Sequence, residues 1–191
     1  PSTGKMYGLE ENWWHEDRRD ILASTSAAVK YLKDLNEMFN GDWLMAIAAY
    51  NAGPGRVQKA INANIELGLK ADFWSIDLPK ETEKYVPKLL ALGIVIKDPE
   101  RYNQKLNMIE NKPFLKAIEL NSQFDLALIS QWTGLTIDQI YTFNPGLKRW
   151  ATPVSLPYTI LLPEDVVNHF EENLSKAGQR PKISWARHKV K

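Results

Sequence analysis

From Thr25 to Phe39 the apolar side chains Ala28, Tyr31, Leu32, Leu35, Met38 and Phe39 recur at the spacing of one helical face, and Gly41 ends the run. The spacing predicts an amphipathic helix. Asp42 is placed to cap a second helix, Trp43 to Tyr50, whose Ala46, Ala48 and Ala49 let another backbone come close. The sequence Asn51-Ala-Gly-Pro-Gly55 must break that helix. A third is expected from Arg56 to near Asn64. A looser segment with Phe73, Trp74 and Pro79 then leads to a fourth, around Glu81 to Ile96, which Pro87 should kink or begin.

After Asp98 the texture changes. Pro99, Asn103, Asn107, Asn111 and Pro113 punctuate a polar connection, which sets a domain boundary near residue 110. Phe114 to Leu120 alternates like a strand, Asp125 to Trp132 has helical spacing, and Thr136-Ile-Asp-Gln139 is a capping box for a short helix that stops at Asn144-Pro-Gly146. Tyr158 to Leu162 is strand-like again. The result is a β-α-α-β unit of about 50 residues, a size typical of a binding module with a small core. A helix near Val166 to Leu174 and a basic, strand-like end from Ile183 to Lys191 complete the chain.

Composition narrows the function classes. With 191 residues and 44% hydrophobic content the chain can bury a proper core. Lys and Arg number 24 against 23 Asp and Glu, a net charge of +1, so no global field recruits nucleic acid or an anionic surface. Cys is absent, which removes disulfides and thiolate chemistry, and three scattered histidines argue against a metal site. No apolar run reaches the roughly 18 residues of a membrane span. Seven Trp and seven Tyr suit sugar-stacking surfaces and ordinary cores equally.

The most informative stretch is Ala49-Tyr-Asn-Ala-Gly53, where a helix ending in Tyr-Asn before a glycine turn presents a phenol and an amide at a backbone corner. Such groups hydrogen-bond neutral polar ligands, sugars included. The pattern alone favours a plainer reading, a core helix that ends at Tyr50 and is capped by Asn51. Tyr85, spaced with Leu89 and Leu92, likewise reads as a core aromatic on pattern alone.

A family resemblance weighs on these alternatives. Pro1-Ser-Thr-Gly4, Tyr7-Gly8-Leu9, Arg18-Arg-Asp20, Ser24-Thr25, Ala27-Ala28, Tyr31-Leu32, Gly41-Asp-Trp43, Ala48-Ala-Tyr-Asn-Ala-Gly53, Gly55-Arg-Val57, Glu81-Thr82, Tyr85-Val86-Pro87 and Leu89 occur in the order seen in membrane-bound lytic murein transglycosylases of the D type. The resemblance spans about residues 1 to 100. It implies an α+β, predominantly α fold, with the C-terminal part of a lysozyme-like helical domain over residues 1–110. It also implies that Tyr50, Asn51 and Tyr85 line the substrate cleft. The family's catalytic glutamate lies in a Glu-Ser motif that would precede Pro1, so no catalytic acid is assigned here and the isolated chain is expected to be inactive. Glu10, Glu11 and Glu16 read as solvated, and exposed carboxylates of ordinary pKa are poor general acids near neutrality.

Residues 111–165 resemble a divergent LysM module through Leu126-Ala-Leu-Ile129, Thr133-Gly-Leu135, Ile140 and Phe143-Asn-Pro145. Gln123-Phe-Asp125 replaces the family's Gly-Asp before the first helix, which leaves sugar binding and a packing role both open. Trp150 and Tyr158 are read as core. Residues 166–191 are a helix and basic tail resembling the start of a further LysM module. Together the resemblances imply cleavage of the bond between N-acetylmuramic acid and N-acetylglucosamine with formation of an anhydro sugar, in the bacterial envelope. The partner is peptidoglycan, with no cofactor, no metal and no nucleic acid; any membrane association comes from parts outside this chain. A non-catalytic wall-binding protein and a goose-type lysozyme are the alternatives.

Overall fold

The computed structural model describes residues 2–177 and residue 183. Its elements run α1 (Ser2–Met6), α2 (Ile21–Met38), α3 (Trp43–Ala52), α4 (Pro54–Glu66), α5 (Lys80–Lys97), a 3-10 turn (Glu100–Tyr102), β1 (Leu115–Leu120), α6 (Leu126–Thr133), α7 (Ile137–Phe143), β2 (Tyr158–Pro163) and α8 (Glu164–Ala177). They divide into two compact units. One comprises residues 28–110; the other joins residues 1–27 to residues from 111 onward.

The helical unit, residues 28–110, packs around α3. Asp42 caps that helix through hydrogen bonds accepted from the Leu44 and Met45 N–H groups at 2.8 and 3.1 Å, which satisfies two of the otherwise orphaned amides of its first turn. Ala46, Ala48 and Ala49 are fully buried. Their small side chains let α4 and α5 approach, and Leu35, Phe39, Val57, Phe73, Ile76, Leu78 and Val86 fill the space around them. Gly53 ends α3 and precedes α4 with φ at 91°, a left-handed conformation that a side chain would strain, and Pro54 supplies the fixed φ of a first helical residue. Pro87 neither begins nor ends α5, which runs from Lys80 through it to Lys97.

In the other unit β1 and β2 pair antiparallel, with Ile118 opposite Ile160 and Leu120 opposite Tyr158. This register puts Ile118, Leu120, Ile160 and Leu162 against Phe124, Leu126, Ile129, Ile140 and Phe170. A slip by one residue would turn the Ile118 and Leu120 face to solvent. Asp125 caps α6, and Thr136 with Gln139 forms the capping box of α7 as the sequence predicts. Asn144 does more than end α7: it is buried, its Nδ2 donates to the carbonyls of Ile140 and Leu161, and its Oδ1 accepts from the Leu161 N–H. That amide ties the helix end to β2.

The segment between α1 and α2 belongs to this unit. Its backbone bonds to residues 146–148, with the Glu16 N–H donating to the Gly146 carbonyl and the Lys148 N–H to the Trp14 carbonyl, at 2.9 and 2.8 Å. Trp14 packs edge-on against Trp150, and the Arg149 guanidinium lies 3.8 Å above the Trp13 ring. Trp150, read from the sequence as core, is half exposed on this seam; Tyr158 is buried as expected. Residues 178–182 and 184–191 lie outside the described residues, and with them most of the basic strand expected from Ile183 to Lys191.

Candidate functional site

Tyr50 and Asn51 stand on the last turn of α3. Because Ala46, Ala48 and Ala49 on the same helix are fully buried, the helix is anchored at its middle and offers its end. Tyr50 is 40% exposed and leans against Tyr31, ring centroids 5.5 Å apart and tilted by 41°. Burial pushes the Tyr31 phenol above its ordinary pKa, with the neighbouring Tyr50 adding to the shift; Tyr31 therefore stays a neutral hydroxyl across the physiological range.

Asn51 is not a helix cap. Its carbonyl oxygen accepts a hydrogen bond at 2.7 Å from the hydroxyl of Thr82, in the first turn of α5. The capping role falls instead on the backbone of Gly53, whose N–H reaches the Ala49 carbonyl at 2.8 Å. Tyr85 lies one turn beyond Thr82 and is 38% exposed, as are Leu89 and Leu92 at 44% and 57%. The helical spacing of these three therefore marks an open face and not a core; Thr82 and Val86 are the residues of this helix that are buried. Thr82 entered the sequence reading only within the motif Glu81-Thr82 and was given no role, since a threonine three residues into a helix carries no signal of its own.

The carboxylates near the start of the chain are engaged in structure. Lys148 donates to Glu11 at 2.7 Å and, with its charge, holds the Glu11 carboxyl below the usual range, so it is ionised near neutrality. Glu16, contrary to its reading as solvated, is largely covered and accepts from the Arg18 guanidinium through Nε and Nη2. Asp17 accepts from the Glu10 N–H at 2.8 Å and bonds the His15 ring at 2.9 Å. Asp20 caps α2 through the Ala23 N–H at 2.8 Å. Burial alone would raise the Asp20 pKa, yet His15 and the amides of Ala23 and Leu22 outweigh it and hold the carboxyl below its ordinary value. A cleft of about 370 Å³ opens beside Asn12, His15, Asp17, Asp20 and Tyr158. Of its acids, Asp17 and Asp20 are engaged by backbone N–H groups and by His15.

Among the described residues no group of three or more His, Cys, Asp or Glu side chains is arranged to hold a metal ion, and no helix is long and apolar enough to cross a membrane. In the second unit the departure from the LysM pattern has a structural counterpart. Phe124 is fully buried, its N–H donates to the Thr152 hydroxyl at 2.9 Å, and Gln123 reaches the Thr152 carbonyl at 2.8 Å.

Sequence comparison relates both parts of the chain to known families. Residues 1–73 match the model of the family "Transglycosylase SLT domain", and residues 114–179 that of the family "Lytic transglycosylase MltD, LysM-like domain". The chain is similar to membrane-bound lytic murein transglycosylase D of Escherichia coli strain K12, with 40% identity over 92% of this chain. The same enzyme from Escherichia coli O6:H1 matches to the same extent. The chain spans 39% of the length of each of these relatives.

Proposed function

We propose that this chain forms part of a peptidoglycan lytic transglycosylase of the bacterial envelope, with Tyr50, Asn51 and Tyr85 at the sugar-binding cleft. The observation that carries this reading is the anchored end of α3, where Asn51 is held from outside its own helix beside a half-exposed Tyr50. The family match of residues 1–73, which includes both residues, supports it.

In the proposed reaction a protonated carboxyl donates to the glycosidic oxygen as the bond from the N-acetylmuramic acid anomeric carbon breaks. The carboxylate so formed takes the proton of the muramic 6-hydroxyl, whose oxygen bonds to the anomeric carbon. The acid is restored, the N-acetylglucosamine unit leaves with a free hydroxyl, and a 1,6-anhydro end forms without water. A single carboxyl acts in turn as acid and base, unlike the paired carboxylates of most glycosidases. The glutamate that performs this step is proposed to lie outside this chain, so the 191-residue chain alone should not turn over sacculi. Tyr50, Asn51 and Tyr85 orient the sugars and stabilise charge that develops around the ring.

The test uses the full-length gene product. Tyr50→Phe and Asn51→Ala should each lower kcat by on the order of 10² to 10³, the usual loss for one charge-stabilising donor, while the melting temperature stays within a few degrees. Parallel losses of activity and melting temperature would return both residues to a purely structural role.

A further inference from the structure

We propose that Thr82 is a positioning residue for the same cleft: it fixes the Asn51 amide so that this side chain presents only hydrogen-bond donors to the sugar. The inference rests on the reading of Asn51 as sugar-facing.

Thr82 is 1% exposed, and the residue it binds is 31 positions away in sequence, on another helix. A threonine in the first turn of a helix ordinarily turns its hydroxyl to its own backbone amides. The need is present here, because α5 begins after Pro79 with no side-chain cap. The Thr82 hydroxyl nevertheless spans to α3 and donates to Asn51 Oδ1 at 2.7 Å. An amide carries its acceptor and its donors on opposite sides of a planar group. With Oδ1 engaged by a buried donor, Nδ2 is directed the other way, and among the described residues no protein acceptor takes its protons. Flipping the amide would let its NH₂ donate to the Thr82 oxygen but take the acceptor from the buried hydroxyl proton, so the observed orientation is favoured.

The consequence is chemical selectivity. An unconstrained Asn meets a sugar hydroxyl as donor or acceptor, whereas a fixed one selects an oxygen that accepts: an acetamido carbonyl, or the departing glycosidic oxygen as it gains negative charge. Thr82 is also three residues before Tyr85 on α5. The same bond therefore ties the helix carrying Tyr85 to the end of the helix carrying Tyr50 and Asn51.

The experiment measures kcat and KM of the full-length gene product on purified sacculi for Thr82→Val, Thr82→Ala, Thr82→Ser, Asn51→Ala and the Asn51→Ala/Thr82→Val double variant, with melting temperatures for each. Removing the hydroxyl in Thr82→Val should lower kcat by about three- to tenfold, the scale of one neutral hydrogen bond, with a smaller change in KM. Thr82→Ser should restore most of the rate. In the Asn51→Ala background Thr82→Val should have no further effect on kcat, since the group through which it acts is gone. Thr82→Ala decides the matter if Thr82→Val does not fold. Wild-type turnover by the hydroxyl-free variants while Asn51→Ala is impaired would overturn the role of Thr82 alone. So would an undiminished Thr82→Val effect in the Asn51→Ala background. Wild-type turnover by Asn51→Ala would overturn the reading of the cleft itself, and this proposal with it.

Discussion

Gly146→Ala should loosen the second unit at its seam with the segment before α2. A β-carbon built at residue 146 would fall inside contact with His15 Nε2 and lie 2.9 Å from Cε1 and 3.0 Å from Cδ2 of the same ring. The ring has little room to retreat. Its Nδ1 is bonded to Asp17 at 2.9 Å, Nε2 faces Asp20 at 3.4 Å, and the ring packs edge-on against Tyr158 with centroids 5.4 Å apart. The residue is buried as well. Glycine is needed at 146 for this approach, and overpacking at a site that cannot yield costs about 1–3 kcal/mol. Hydrogen exchange gives a local readout, because the Glu16 and Lys148 N–H groups bond across the seam to Gly146 and Trp14. Their protection in the 191-residue chain should fall by about 5- to 150-fold, the same energy expressed as an opening equilibrium. The His15→Ala/Gly146→Ala double variant should recover part of the loss, since the clash needs both groups. Unchanged protection at Glu16 and Lys148 in Gly146→Ala would refute the argument.

Two further outcomes follow from the same unit. Asp20 has a folded-state pKa below its unfolded value, so it contributes stability above the ordinary Asp range of about 3.9 and loses it as pH falls through the folded value. Acid denaturation of the chain should therefore show a limb below about pH 4 that flattens in Asp20→Asn, which can still cap α2; an unaltered limb would remove Asp20 as its source. Because Gln123 and Phe124 are pinned to Thr152, the loop ahead of α6 lacks the freedom of a glycine turn. Titration of the chain with an N-acetylglucosamine tetramer should give a Kd no tighter than about 1 mM, and clearly tighter binding at this loop would overturn that expectation.

Most of the fold was legible because its signals are local. The cap at Asp42, the capping box at Thr136 and Gln139, and the alternation from Phe114 to Leu120 each encode an element within a few residues. α2 begins at Ile21, four residues before the expected start at Thr25, because Asp20 caps it there and propensity alone does not show that. Of the two readings of Pro87, a helix start is excluded, because α5 begins seven residues earlier at Lys80. The exposure of Leu89 and Leu92 defeated the spacing argument, since periodicity locates an apolar face without saying what covers it. Long-range pairs were invisible: Thr82 with Asn51, Asn144 with Leu161, and Gly146 with His15 are separated too far for any pattern to join them. The candidate site was found through Tyr50, Asn51 and Tyr85 as family positions, and the bond that organises Asn51 required coordinates.

Mass spectrometry of the fragments that the full-length gene product releases from purified sacculi distinguishes transglycosylation from hydrolysis and from mere binding. A transglycosylase should release muropeptides ending in 1,6-anhydro-N-acetylmuramic acid, each lighter by one water than the hydrolysed equivalent, and the 191-residue chain alone should release none. Reducing ends would identify a hydrolase, and an absence of cleavage by the full-length protein would identify a wall-binding protein; either result would contradict the proposed function.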